Sequence, residues 1–394
     1  MPTIQDDPSN RYISNHLPVK ELAESPSVLL LAALNKLVAD TPPLTRVSEQ
    51  DQFGLFGGYI GISGLLLQLS SKYPDLKIQD QSLKQWAALY LGGERDATQA
   101  VPYPLIGLVS ETVCLIALKA CLSDDETDCD KFLLSFDAAC QPIPEGEEDR
   151  WDPELLQGRA GALYLLRLVR KWVPARKEKI GDCISDIAER LMQTNDYGAR
   201  SWRWKGRMYT GAVHGDIGNI TQLVLSKPNL APRVEAHLKR LLEMQFEDGG
   251  WPLHSNRDEE ATTMVQLCHG ATGFVYSLQA LRPYFPNLKD EIDTAIKKGQ
   301  SCIWEKGLLK KEPSLCHGTF GNGLALPRGP KRNHFLAWST PNAVAQAKAL
   351  DGEMFADAHY DWTYSVPMVY DLSSIWTWAV CEEDEPTMLF YTDV

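Results

Sequence analysis

Apolar residues recur at helical spacing along much of the chain. Ser27 to Val38 is mostly Leu and Ala. Leu155 to Val173, Pro232 to Met244 and Leu288 to Trp304 each repeat apolar positions three and four residues apart. Strand-like alternation is scarce. The pattern predicts an all-α protein, with those four segments as helices.

A second periodicity lies above the helical one: a glycine-bearing turn that runs into an apolar helix. Gly57-Gly58-Tyr59-Ile60-Gly61-Ile62-Ser63-Gly64 leads into Leu65-Leu66-Leu67, and Gly158-Arg159-Ala160-Gly161 leads into Ala162-Leu163-Tyr164. The same step recurs at Gly215 to Gly218, Gly270 to Gly273 and Gly318 to Gly321. The last four glycine pairs are 57, 55 and 48 residues apart, room for two helices each. Two eroded copies fit the remaining gaps, Ile106-Gly107-Leu108-Val109-Ser110 and Val369-Tyr370-Asp371-Leu372-Ser373-Ser374. Seven helical hairpins cannot bury their apolar faces singly, whereas a closed ring buries all of them and leaves no end. The expectation is an α/α toroid with the glycine turns gathered at one mouth. It forms a single domain over residues 1–394.

Composition narrows the partners. Hydrophobic residues at 44% and charged residues at 23% describe an ordinary globular chain. A net charge of −13 argues against nucleic acid, which requires a basic face. The acidic clusters Asp124-Asp125-Glu126, Glu145-Gly146-Glu147-Glu148-Asp149 and Glu382-Glu383-Asp384-Glu385 are expected in solvent. The first two mark an insertion near 123–149, between an outer and an inner helix. The third marks an acidic tail near 382–394. The longest apolar run, Val28 to Leu34, is too short for a transmembrane segment. The first residues carry no basic region followed by an apolar one, so no secretory signal is expected. Nine cysteines without a framework spacing point to a reducing, cytoplasmic setting.

Two of the turns carry chemistry. Leu267-Cys268-His269-Gly270-Ala271-Thr272-Gly273 and Leu315-Cys316-His317-Gly318-Thr319-Phe320-Gly321 share Leu-Cys-His-Gly-x-x-Gly, and the cysteines are 48 residues apart. A third turn, His214-Gly215-Asp216-Ile217-Gly218, has the histidine without the cysteine. A thiolate from each of two neighbouring repeats and one imidazole make three ligands. Three ligands leave a zinc position open, the mark of a catalytic rather than a structural site. Buried, inert cysteines and core histidines are the plain alternative.

These motifs resemble the eukaryotic branch of the lanthionine synthetase C-like (LanC-like) family. The resemblance rests on the paired Cys-His-Gly turns, on Gly211-Ala212-Val213-His214-Gly215, on Glu154-Leu155-Leu156-Gln157-Gly158-Arg159-Ala160-Gly161, and on Leu308-Leu309-Lys310-Lys311 before Leu315-Cys316-His317-Gly318. It implies a toroid of seven inner and seven outer helices. It implies Zn2+ held by Cys268, Cys316 and His317. It further implies catalytic roles for His214 as acid/base, for His269 beside the first zinc cysteine, and for Glu154 near the zinc mouth. Lys311, and Arg11 in Arg11-Tyr12-Ile13-Ser14-Asn15, correspond to cations that contact glutathione. Glu154 also suits a helix-start acid, and Lys311 and Arg11 suit ordinary surface cations.

The resemblance implies zinc-dependent addition of a thiol, glutathione or another small one, to an electrophilic alkene. The alkene would be a dehydroamino acid in a peptide, or a metabolite. The alternative is a non-catalytic, zinc-bearing scaffold that binds glutathione or a partner; a peptide cyclase is a third reading. Three departures from the family pattern bear on the substrates. The second and seventh turns have lost glycines. Ala358-His359-Tyr360-Asp361-Trp362 lacks an arginine that relatives carry before the last repeat. Met264 replaces an arginine of bacterial cyclases.

Overall fold

The computed structural model describes residues 11–15, 18–96, 104–123, 125–144, 149–256, 264–356 and 364–394. The chain opens with α1 (Pro26–Asp40) and then alternates between two layers. α2 (Gly58–Lys72) is inner and α3 (Leu83–Leu91) outer. α4 (Glu111–Ser123) is inner, with α5 (Glu126–Leu134) and the short α6 (Asp137–Cys140) outside it. α7 (Arg159–Trp172) pairs with α8 (Lys177–Gln193), α9 (Asp216–Ser226) with α10 (Ala231–Glu243), and α11 (Ala271–Leu281) with α12 (Lys289–Lys306). α13 (Thr319–Ala325) pairs with α14 (Pro330–Trp338); α15 (Pro341–Leu350) comes after them, and α16 (Tyr370–Val380) is the last inner helix.

Each inner helix packs on the next, and α16 packs back on α2, so the ring closes. α1 packs on α16 and completes the outer layer. Among the described residues this gives a ring of seven inner helices with seven outer partners, as the repeat count predicts. The layers derive from the sequence. α9 is buried along nearly its whole length, and α7 through eleven consecutive residues, polar side chains such as Arg167 and Gln222 included, because the inner ring is enclosed by the outer helices and the end of the chain. α8 buries one stripe, Ile180, Ile184, Ile187, Ala188 and Leu191. At roughly 1.5–3 kcal/mol per large side chain, such a stripe is what holds an outer helix on the ring. Among the described residues strand is confined to two-residue pieces, such as Arg46–Val47 in parallel with Glu94–Arg95.

The glycine turns share one contact. The second glycine of each lies against the carbonyl six residues before it. A Cβ on Gly161, Gly218, Gly273 or Gly321 would stand 1.9–2.1 Å from the carbonyl oxygen of Leu155, Ala212, Leu267 or Leu315. In the eroded copies the residue after the missing glycine sends its side chain to a carbonyl of the preceding turn. Cys114 Sγ lies 3.4 Å from the Leu108 oxygen, and Ser373 Oγ donates to the Val366 oxygen at 2.8 Å. The turns are also bonded to one another. Leu55 N–H donates to Leu108 at 2.8 Å, Leu108 to Leu155 at 3.3 Å, Leu155 to Val213 at 3.1 Å, Leu267 to Cys316 at 2.9 Å and Cys316 to Pro367 at 2.7 Å. Gly58 N–H donates to Tyr364 at 3.0 Å and joins the last turn to the first.

At the opposite end the ring is filled by the end of the chain. Met388, Leu389, Phe390 and Tyr391 are buried. Gln68 of α2 donates to Asp393 at 2.6 Å, Tyr164 of α7 does so at 3.1 Å, and Gln222 of α9 donates to the Tyr391 carbonyl at 3.1 Å. Arg167 donates to the carbonyl of Val394.

Three expectations are corrected. The helix expected from Leu155 begins at Arg159, because residues 155–158 form the turn whose backbone bonds to its neighbours. The acidic stretch 123–149 is not mere insertion. Cys129, Phe132, Phe136 and Ala139 are buried, and α5 is the outer partner of α4. The acidic tail is exposed around Glu382–Glu385 only, and residues 388–391 beyond it belong to the core. Asp124 and Glu145–Glu148 lie outside the described residues.

One substitution made at two places tests the turn contact. Gly218→Ala should destabilise by at least about 1–3 kcal/mol, since its Cβ meets backbone that has nowhere to go. Gly181→Ala, within α8 and with nothing near the new methyl, should instead stabilise by about 0.5–1 kcal/mol. Denaturant unfolding of both variants reads the opposite signs.

Candidate metal centre

Two neighbouring turns build the centre. Cys268 lies in a tight turn closed by a bridge between Val265 and Gly270. Gly270 takes φ +99, and a Cβ there would lie 1.6 Å from the Met264 oxygen, so the turn demands glycine. Cys316 and His317 lie in the next turn, where His317 N–H donates to Ser314 Oγ at 3.3 Å. The backbone bond from Leu267 to Cys316 locks the two turns together.

The ligand atoms of Cys268, Cys316 and His317 consequently all fall within 4.8 Å of one another. His317 Nε2 is 3.1 Å from Cys268 Sγ and 3.8 Å from Cys316 Sγ. A tetrahedral zinc with Zn–S about 2.3 Å and Zn–N about 2.0–2.1 Å requires S···N separations near 3.6 Å. The donor set and the spacing therefore fit zinc. Cys268 and Cys316 are buried, and Gln266 Nε2 donates to Cys268 Sγ at 3.1 Å.

The two thiols divide their roles. Burial opposes ionisation of Cys268, but the hydrogen bond from the Cys316 thiol and the charge of the His317 ring outweigh it. They hold Cys268 well below the usual thiol range. Cys316 is pushed up, first by its hydrogen bond to Cys268 and then by burial.

Beside this centre stands a second group of rings. His214 is on the turn next to that of Cys268, and its Nδ1 is 2.7 Å from Glu154 Oε2. Glu154 is fully buried, and it also accepts the amides of Leu156 at 3.0 Å and of Gln157. It thus caps its own turn and orients the imidazole. The His214 ring is stacked on Trp204 with centroids 4.0 Å apart, and lies 5.9 Å from the ring of His269. Burial lowers the pKa of His269, so its neutral form is favoured. Its Nδ1 is buried with no hydrogen-bond partner among the described residues. Tyr209 packs on His214, His254 and His269 alike.

Lys311 and Arg11 are exposed and lie on neighbouring pieces of one edge. Lys310 N–H donates to the Arg11 carbonyl at 3.0 Å, and Tyr12 bridges Leu309. The charge of Lys311 is close enough to favour the Cys316 thiolate. The segment Ala358-His359-Tyr360-Asp361-Trp362, singled out for its missing arginine, lies outside the described residues. Met264 Sδ stands 3.7 Å from Gln266 Nε2.

Trp204, Tyr209 and Gln266 are absent from the sequence-based candidates. The Trp204–Arg207 hairpin falls between glycine turns, where a repeat search has no purchase. Its one signal is Lys205-Gly206, which takes φ 48 and 77 in a tight hairpin turn.

Residues 49–328 match the family model of lanthionine synthetase C-like proteins. The chain belongs to the lanthionine synthetase C-like family. Among curated relatives, a Danio rerio protein named glutathione S-transferase LANCL1 is 30% identical over 199 residues, covering 46% of this chain and 47% of its own. The Arabidopsis thaliana LanC-like protein GCL1 is 26% identical over 230 residues, covering 54% of this chain and 52% of its own. The chain thus matches about half the length of these LanC-like relatives. Nisin cyclase shares the fold with a TM-score of 0.55 at 13% identity, over 90% of this chain and 93% of its own. No helix among the described residues of this LanC-like chain is long and apolar enough to cross a membrane.

The electrostatics of the pair predict a pH-dependent signal. Because the pKa of Cys268 is depressed, its thiolate in the metal-free chain persists to lower pH than that of an ordinary thiol, and is lost as pH falls through that lowered value. Ultraviolet thiolate absorbance of metal-free protein should show this, and Cys268→Ser should abolish it.

Proposed function

We propose that this LanC-like chain adds a thiol, glutathione foremost, to the alkene of a dehydroamino acid in a peptide or of a similar electrophilic metabolite. The observation that carries the reading is the juxtaposition of Cys268, Cys316 and His317, within 4.8 Å of one another, with the His214–Glu154 pair on the adjoining turn. The name of the Danio rerio relative, a glutathione S-transferase, supports the choice of thiol. On this reading residues 1–394 work as one unit, in a cytoplasmic setting that keeps the thiols reduced.

Cys268, Cys316 and His317 would hold the zinc, which, when bound, lowers the pKa of an incoming thiol and keeps it as a thiolate at neutral pH. The thiolate sulfur adds to the β-carbon of the alkene, and negative charge moves onto the adjoining carbonyl as an enolate. A proton must then reach the α-carbon, so that the S–H and C=C bonds give way to C–S and C–H. His214 supplies that proton, and Glu154, bonded to Nδ1, orients the ring. His269, neutral and with a free ring nitrogen, donates a hydrogen bond to the enolate oxygen. Lys311 and Arg11 bind the carboxylates of glutathione from the exposed edge. The pairing of a donor set with an oriented acid/base favours catalysis over a scaffold role.

Metal analysis of the purified chain should find one zinc, lost in Cys316→Ala together with thiol addition. His214→Ala should retain the metal and slow addition about 10²–10⁴-fold. Lys311→Ala should chiefly raise the half-saturating glutathione concentration. A His214→Ala protein as active as the parent removes His214 from the mechanism and leaves His269 as the proton donor. A zinc-loaded parent inert toward dehydroalanine peptides and glutathione would establish the scaffold reading instead.

A further inference from the structure

Seven of the nine cysteines lie away from the metal centre. Five are buried thiols whose pKa burial pushes up: Cys114, Cys121, Cys129 to about 11, and Cys302 and Cys381 to about 12. These are packing residues. Cys140 and Cys183 differ in exposure and in facing each other. Both are half-buried, and their Sγ atoms are 3.6 Å apart. Cys140 ends α6 and Cys183 sits in α8, on which α6 packs.

The surroundings distinguish the two thiols. Cys140 is driven toward its thiolate by the hydrogen bond from Cys183. Burial and the carboxylates of Asp137 and Asp186 oppose this, and the Arg159 guanidinium assists it. Cys183 is driven the other way by the same hydrogen bond and by burial. Two guanidiniums fasten this stretch of backbone. Arg159 donates to the Ala139 carbonyl, and Arg190 to that of Cys140 at 3.4 Å. A reactive thiolate and a resolving thiol in contact, both reachable from solvent, are what thiol–disulfide exchange needs.

We propose that Cys140 and Cys183 form a dithiol site that exchanges with low-molecular-weight disulfides. The Cys140 thiolate attacks one sulfur of the small disulfide and breaks its S–S bond. One small thiolate leaves and takes up the proton that Cys140 had released. Cys183 then loses its proton and attacks Cys140 Sγ, expelling the second small thiol. Two protein S–H bonds are exchanged for one protein S–S bond, and one small disulfide is reduced to two thiols. The product ties α6 to α8. It closes a loop that contains Asp149, whose carboxylate binds Arg159, and Glu154, which holds His214. The site is independent of the activity proposed above, and its test does not require that activity.

The full chain is incubated with oxidised glutathione and weighed intact, and is then alkylated and mapped by peptides. The expected result is a mass lower by two hydrogen atoms and a crosslinked peptide that joins Cys140 to Cys183. Cys114, Cys121, Cys302 and Cys381 should alkylate only after unfolding. Cys183→Ser should stop at a stable glutathione adduct on Cys140, and Cys140→Ser should give neither adduct nor crosslink at this site. Circular dichroism checks that both variants fold. The proposal is overturned if the parent chain carries a lasting glutathione adduct on Cys140 without the crosslink. It is equally overturned if both thiols stay fully alkylatable after the incubation.

Discussion

The fold depends on how closely each inner helix can approach the turn that precedes it. A carbonyl oxygen at about 2 Å from a would-be Cβ leaves room for a hydrogen atom and nothing larger. That approach brings turns to hydrogen-bonding distance of their neighbours: links run from Leu55 through Leu108 and Leu155 to Val213, and from Leu267 through Cys316 to Pro367, and Tyr364 is joined back to Gly58. Backbone groups at helix N-termini would otherwise be left to water or to capping side chains. Here five of the seven inner helices start on glycines, and turn amides are satisfied by neighbouring turns instead. Apolar burial between the two layers supplies the stability, but the turn contacts fix the phase of one hairpin against another.

The metal centre is a by-product of that phase. Cys268 and Cys316 belong to equivalent positions of adjacent turns, so any geometry that bonds Leu267 to Cys316 also brings their sulfurs together. The position one turn earlier brings His214 to the same rim, and the turn before that brings Glu154. Residues from four repeats thus face one another without any local sequence motif joining them. The burial that strengthens their electrostatics also explains their pairing. A lone buried thiolate is costly, whereas Cys268 is compensated by a thiol, an imidazole and the Gln266 amide.

The same division governs which features could be read from the chain. The ring was legible because glycine spacing and helical periodicity are both imposed by it. The ligand set was legible because Cys268, Cys316 and His317 sit at repeated positions of the turn. Trp204 and Tyr209 were not, because the segment between α8 and α9 belongs to no repeat and reaches the rim only through tertiary packing. The Cys140–Cys183 contact was hidden for a similar reason: no repeated position contains it, and it needs α6 folded against α8. The role of α5 was overlooked for a plainer cause. Its acidic residues dominate the composition of 123–149, yet Cys129, Phe132 and Phe136 already carried a helical stripe. The end of the chain repeats that lesson, since Glu382–Glu385 conceals the apolar Met388–Tyr391 behind it.

The eroded turns bear on what the chain can do. Loss of glycine from the second and seventh turns suggests decay when viewed as sequence. In the fold, a carbonyl of the turn is met by the side chain of Cys114 in one case and of Ser373 in the other. Ser373 Oγ also accepts the Leu315 amide at 3.1 Å, so the seventh turn is tied to the very turn that carries Cys316 and His317. Ser373, one position past the missing glycine, thus serves two partners. The substitutions therefore preserve the ring on both sides of the centre. They are replacements within the scaffold, and they carry no information about the chemistry at its mouth. Any divergence of substrate has to be sought where side chains face the rim, at Met264, Trp204 and the edge that bears Lys311 and Arg11.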